Sequence, residues 1–197
     1  MAARFELIST PLAGLTVIQR KPIIDERGFF ERLFCYDELR EAGLEKPIVQ
    51  INRSLTRKKG TVRGIHFQYP PHAEMKIVSC LRGEIFDVAV DIRSGSETFL
   101  RWHGEVLSAE NNRSLLVPEG FAHGFQTLSE DCEIIYFVTA PYTPSSEGAI
   151  HPEDSSVSVQ WPVAVAQLSE RDSSQRYIGR DFRGVTLITS PTEGRHL

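Results

Sequence analysis

Two histidines stand beside glycines in segments that otherwise alternate as β-structure does: Arg63-Gly64-Ile65-His66-Phe67-Gln68 and Pro118-Glu119-Gly120-Phe121-Ala122-His123-Gly124-Phe125. A neutral imidazole beside a carboxylate has the proton affinity that a general base needs near neutral pH. His66 is the candidate base, against the plainer reading of a hydrogen-bonded core histidine. Asp172, in Leu168-Ser169-Glu170-Arg171-Asp172, is a candidate partner that spacing alone does not select. On a period-two strand Gln68 shares the face of His66, whereas Arg63 joins it only through a turn at Gly64. Lys76, in Met75-Lys76-Ile77-Val78, is by default an exposed lysine. Turned inward, its ammonium would stabilise a developing enolate. Tyr136, in Glu133-Ile134-Ile135-Tyr136-Phe137, is by residue type a core tyrosine. Opposite an imidazole base, its phenol would donate a proton to the other face of a carbanion. Arg27, Arg63 and Arg171 are individually surface charges, but a guanidinium matches phosphate geometry and the three would suit a diphosphate. Glu119 and His123 are candidate ligands or turn stabilisers.

These side chains need a scaffold that turns strands toward one cavity. The Pro118-x-Gly120-x-x-His123 spacing resembles the turn that points a histidine into the mouth of a cupin barrel. A chelating cupin wants a further histidine two residues beyond the first; Gln68 stands there, so acid–base work is expected rather than metal binding, with no metal and no cofactor. From Ile48 to Tyr142 the chain reads strand, turn, strand: Lys76–Leu81, Ile85–Ile92, Trp102–Leu107, Ser114–Val117 and Cys132–Val138, preceded by Leu15–Ile18. The predicted fold is all-β, a cupin-type jelly-roll barrel or sandwich with a few short helices. Asp25-Glu26-Arg27-Gly28 has a turn composition. The one convincing helix runs over Tyr36–Gly43, with Asp37 as its cap and Gly43 as its end. One domain is expected over residues 1–172, with an N-terminal arm. Residues 173–197 read as a polar tail that frays.

With 197 residues the chain is long enough to bury a core unaided. A net charge of −4 argues against a nucleic-acid binder. Cys35, Cys80 and Cys132 are odd in number and lack C-x-x-C spacing, which suits free thiols in a reducing compartment. No apolar run approaches a membrane span, so a cytoplasmic location is expected.

In order along the chain stand Asp25-x-Arg27-Gly28-Phe29-Phe30, Gln50-x-Asn52-x-Ser54, Arg63-Gly64-x-His66-x-Gln68, Lys76-x-Val78 and Gly83-x-x-x-Asp87-Val88-x-Val90-Asp91-x-Arg93. The Pro118–Phe125 turn, Tyr136, Tyr142-x-Pro144, Glu147, Trp161-Pro162 and Ser169-x-x-Asp172 follow. Together they resemble the nucleotide-sugar 3,5-epimerases of the dTDP-4-dehydrorhamnose type. The resemblance implies a metal-free jelly-roll homodimer acting on a dTDP-linked 4-keto-6-deoxy sugar. It implies His66 as base held by Asp172, Tyr136 as acid and Lys76 as the enolate's support. Arg27, Phe30, Gln50, Asn52, Arg63, Tyr142, Glu147 and Arg171 are the implied ligands of the dTDP or the sugar. Arg32, Glu74, Phe137, Pro152 and Arg171 depart from the commonest pattern of that family. Competing readings are a sugar-nucleotide 3,4-ketoisomerase, a metal-dependent cupin and a non-catalytic sugar-nucleotide-binding cupin.

Overall fold

The computed structural model describes residues 3–187. Its strands are β1 (Phe5–Ser9), β2 (Thr16–Arg20), β3 (Ile23–Asp25), β4 (Gly28–Phe30), β5 (Gln50–Thr56), β6 (Val62–Gln68) and β7 (Lys76–Arg82). Then come β8 (Glu84–Asp91), β9 (Trp102–Ser108), β10 (Arg113–Val117), β11 (Phe121–Thr127), β12 (Cys132–Val138) and β13 (Glu147–Ala149). Two antiparallel sheets face each other: six strands in the order β1-β2-β10-β7-β12-β5, and five in the order β13-β6-β11-β8-β9. This is the expected all-β cupin jelly roll.

Alternation along each strand sends one set of side chains between the sheets and the other outward. Val17, Val78, Cys80, Ile85, Ala89, Leu107, Leu115, Phe125 and Ile134 form the core between them. The outer faces are covered as well. Phe5, Ile18, Ile77, Leu116 and Phe137 pack under Leu39 and Leu44, and Phe34 stacks on Phe137 at 5.6 Å. That packing accounts for Phe137, whose side chain serves the outer layer and not the cavity. The helix there, α1 (Tyr36–Leu39), begins after an extended Cys35 and has no side-chain cap, so Asp37 lies in the first turn instead of capping it. Gly43 does end the segment, at a φ of 89° that a left-handed turn demands.

The outer face of the five-stranded sheet buries Ile65, Phe67, Val88, Val90 and Ile92 against Ile150, Val157 and Val185. The expected fraying therefore fails over residues 174–187. The Val185 N–H donates to the Ile92 carbonyl (2.7 Å), Phe182 stacks on Phe99 and Tyr177 on His151. A few apolar residues spaced through a polar stretch suffice to dock it, which average composition conceals. Thr189-Ser190-Pro191-Thr192 lies outside the described residues. No described helix is long and apolar enough to cross a membrane.

Strands β3 and β4 form a separate two-stranded sheet. Their turn is the predicted one, with the Arg27 N–H donating to Asp25 Oδ1 at 2.9 Å. All six strand residues of this hairpin are exposed.

Candidate active site

The phase of β6 is set by a bulge. Strand β11 pairs His123 with His66 and Phe125 with Arg63, so Gly64 and Ile65 together oppose the single Gly124. One extra residue moves Arg63 onto the face of His66, the route through Gly64 that the sequence left open. Gly64 sits at φ +125°, and a Cβ there would stand 2.5 Å from Gly124 Cα. Only glycine fits.

Asp172 reaches His66 from the other end of the chain. It lies in α2 (Glu170–Ser173), whose N-cap Ser169 accepts a hydrogen bond from the Asp172 N–H (3.0 Å). Asp172 Oδ1 is 2.7 Å from His66 Nε2, and Oδ2 accepts a long bond from the Gly64 N–H at 3.5 Å. Burial, the largest influence, opposes ionisation of Asp172. The hydrogen bond from His66, the charge of that imidazole when it is protonated, Ser169 and the Gly64 N–H outweigh it and hold the carboxyl below its usual range. An ionised carboxylate only accepts, so Nε2 carries the proton and Nδ1 keeps the lone pair that a base requires.

Lys76 and Tyr136 lie diagonally on the neighbouring strands β7 and β12, where Lys76 faces Val138 and Tyr136 faces Val78. The lysine is turned inward, its side chain 13% exposed, with Nζ 3.0 Å from Glu74 Oε1. Burial raises the pKa of Tyr136, and the Glu74 charge adds to this while Arg63 opposes it. The phenol is thus kept protonated, as an acid must be. His123 faces the same space, its Nε2 2.8 Å from Asp87 Oδ1.

These groups line a cavity of about 630 Å³ at the end of the barrel, with Arg63, Arg171 and Asp172 on its walls. A second hollow of about 330 Å³ adjoins it and shares His66, Lys76, Tyr136 and Arg171. Gln50, Asn52, Tyr142 and Glu147 line that hollow. The Gln50 side chain donates to Asn52 Oδ1 (2.9 Å) and accepts from the Tyr142 N–H (3.3 Å). The Tyr142 hydroxyl donates to Glu147 (3.2 Å), and Glu147 is ion-paired with Arg171. Gln68 ties down the loop before Tyr142: its amide donates to the His72 and Pro141 carbonyls and accepts from the Thr143 N–H.

Eleven predicted site residues therefore meet in one cleft: His66, Asp172, Tyr136, Lys76, Gln50, Asn52, Arg63, His123, Tyr142, Glu147 and Arg171. Arg27 and Phe30 do not line it. They sit on the projecting hairpin, where Arg27 is paired with Asp25 at 2.6 Å and Phe30 is 65% exposed. Glu119 is also outside, bonded to Lys46 at 2.6 Å. Pro152 is buried behind the five-stranded sheet, where its carbonyl accepts from Trp161 Nε1. Among the residues unassigned in sequence are Glu74, which lines the smaller hollow, and Asp87, which bonds His123 from below the cavity surface. For Asp87 the signal was a lone carboxylate inside an apolar strand; for Glu74 it was the departure from the family's commonest pattern two residues before Lys76. Among the described residues, no three His, Cys, Asp or Glu side chains are grouped as a metal site requires.

The family model described as dTDP-4-dehydrorhamnose 3,5-epimerase matches residues 9–179. The dTDP-4-dehydrorhamnose 3,5-epimerase of Salmonella typhimurium is 45% identical over 170 residues, 85% of this chain and 92% of that protein. That of Shigella flexneri is 42% identical over 178 residues, 89% of this chain and 98% of that protein. Among solved structures, the dTDP-6-deoxy-D-glucose-3,5-epimerase of Legionella pneumophila, in complex with dTDP-4-keto-L-rhamnose, superposes with a TM-score of 0.86 at 39% identity. The match covers 93% of this chain and 100% of that one.

Proposed function

The chain belongs to the dTDP-4-dehydrorhamnose 3,5-epimerase family, and from that premise we propose how its cleft carries out the reaction. The protein is an isomerase that epimerises a dTDP-linked 4-keto-6-deoxy sugar at C3 and C5. The observation that carries the assignment is a base, an acid and an ammonium on the walls of one cavity: His66 backed by Asp172, Tyr136, and Lys76. A hydrogen on the carbon next to the C4 ketone is acidic because its loss gives an enolate. His66 Nδ1 takes that proton, and Lys76 offsets the charge that develops on the ketone oxygen. Tyr136 returns a proton to the opposite face, inverting the centre. Once His66 has released its proton to solvent and Tyr136 has regained one, the same cycle on the other side of the ketone reaches the second carbon. No electron leaves the sugar, so redox chemistry is not called for. Arg63 and Arg171 suit the diphosphate, and Gln50, Asn52, Tyr142 and Glu147 suit the nucleotide or sugar hydroxyls.

Arg27 and Phe30 act in this reading on a second copy of the chain. The hairpin exposes Ile24, Phe29 and Phe30, while the edge strand β5 and the residue before it expose Ile51 and Val49. Laying one copy's hairpin across the other's sheet edge would cover both apolar surfaces and close the unpaired edge. Two-fold symmetry then puts Arg27 and Phe30 at each partner's cleft, giving a homodimer. Mixing inactive His66→Ala and Arg27→Ala chains should restore about a quarter of wild-type activity, since half the dimers would hold one intact site. No recovery above either parent would refute shared sites. Three free cysteines among the described residues suit the reducing cytoplasm.

The deciding experiment is proton NMR of dTDP-4-keto-6-deoxyglucose with the protein in heavy water. Loss of the C3 and C5 signals with new coupling constants is the expected result. Loss of C3 alone would make it a 3-epimerase. Tight dTDP binding without exchange would leave only a binding protein.

A further inference from the structure

Glu74 has no role in the reaction as described above, yet it reaches into the cleft. It lies two residues before β7, lines the smaller hollow beside Lys76 and Tyr136, and has a side chain only 11% exposed. Its Oε1 is 3.0 Å from Lys76 Nζ, and the lysine is almost as enclosed. An ammonium on a four-carbon stem is free to swing unless something fixes it. Left without a counter-charge, it would also draw the neighbouring phenol toward phenolate.

We propose that Glu74 is a positioning residue for the epimerisation: its carboxylate fixes the Lys76 ammonium against the cavity wall and offsets its charge, so that Tyr136 meets the substrate as a proton donor. The role rests on the acid and enolate-supporting roles given to Tyr136 and Lys76. Other charges around the phenol come from several elements. Arg63 and His66 project from β6, His123 from β11, and Arg171 and Asp172 from α2. Arg57 and Lys58 lie on the β5–β6 turn, and Glu147 on β13. Against that largely cationic surround, Glu74 is the carboxylate whose charge raises the Tyr136 pKa.

The sign of the effect is fixed. Removing the carboxylate lowers the Tyr136 pKa, so phenolate forms at lower pH and the acid is lost earlier as pH rises. The test uses wild type, Glu74→Gln and Glu74→Asp, each titrated without substrate by ultraviolet difference spectroscopy of the phenolate, with Tyr136→Phe as the reference. In Glu74→Gln the Tyr136 transition should fall by about 0.5–1 pH unit, and in Glu74→Asp it should return toward wild type. In turnover, Glu74→Gln should lower kcat about tenfold with KM nearly unchanged, and its alkaline limb should move down with the phenol. An unmoved phenol transition in Glu74→Gln would overturn the proposal. So would an equal loss of activity at every pH that Glu74→Asp does not rescue. The titration needs no turnover, so a failure of the epimerase assignment itself would show separately, as wild type without carbon exchange.

Discussion

The cleft holds two histidine–carboxylate pairs of nearly equal geometry, His66–Asp172 at 2.7 Å and His123–Asp87 at 2.8 Å, on residues directly opposed across β6 and β11. Their surroundings differ. The His66 side chain is 26% exposed, and both Asp172 oxygens have partners. His123 is 11% exposed, and Asp87 is fully buried with its Oδ2 unpartnered. Asp87 comes from the adjacent strand β8 of the same sheet, whereas Asp172 arrives from α2, 106 residues away from its histidine. A hydrogen-bonded dyad therefore does not by itself identify a base. Access to the cavity makes the distinction, and it favours His66.

The two dyads separate most sharply when the histidine itself is removed. His66→Ala should lower kcat by about a thousandfold while leaving dTDP affinity near wild type, at a cost of about 1–3 kcal/mol in stability because the buried Asp172 loses its partner. Turnover and calorimetric ligand titration would check this, and near-normal turnover would end the assignment of His66 as base. Next in size is Gly64→Ala. The added methyl would strike Gly124 and the backbone would be strained, so the bulge that aligns Arg63 with His66 must shift. A stability loss of about 2–4 kcal/mol by denaturant titration, together with most of the activity, is expected. A stable, active variant would show that the bulge does not set the site. Smallest for the chemistry is Asp87→Ala. It should cost about 1–3 kcal/mol of stability by leaving His123 without its partner, and lower kcat far less than His66→Ala. If the two variants lose equal activity, the dyads share the proton chemistry and the contrast drawn above is wrong.

Much of this was legible in sequence because strands announce themselves locally. Lys76–Leu81, Ile85–Ile92 and Cys132–Val138 are short apolar runs bounded by turns, and the predicted strands from Lys76 to Val138 agree with the observed ones to within a residue or two. Eleven of the fourteen candidate site residues were also found in the cleft, chiefly because so many motifs stood in order. What failed depended on contacts distant in sequence. The start of α1 at Tyr36 was read correctly but its cap was not: Asp37 lies in the first turn, after an extended Cys35 that nothing in Asp37-Glu38-Leu39 announces. The docking of residues 174–187 was missed because Val185 has meaning only against Ile92.

The strand pattern, the glycines near His66 and His123 and the residue types for enolate chemistry are written in the residues alone, because they follow from local sterics and from side-chain proton affinity. Only the tertiary structure decided which carboxylate serves which histidine, that Lys76 faces inward against Glu74, and that Arg27 and Phe30 stand away from their own chain's cleft. Those outcomes turn on sheet register and burial, where one bulged residue reverses a face and a charge's worth depends on what encloses it.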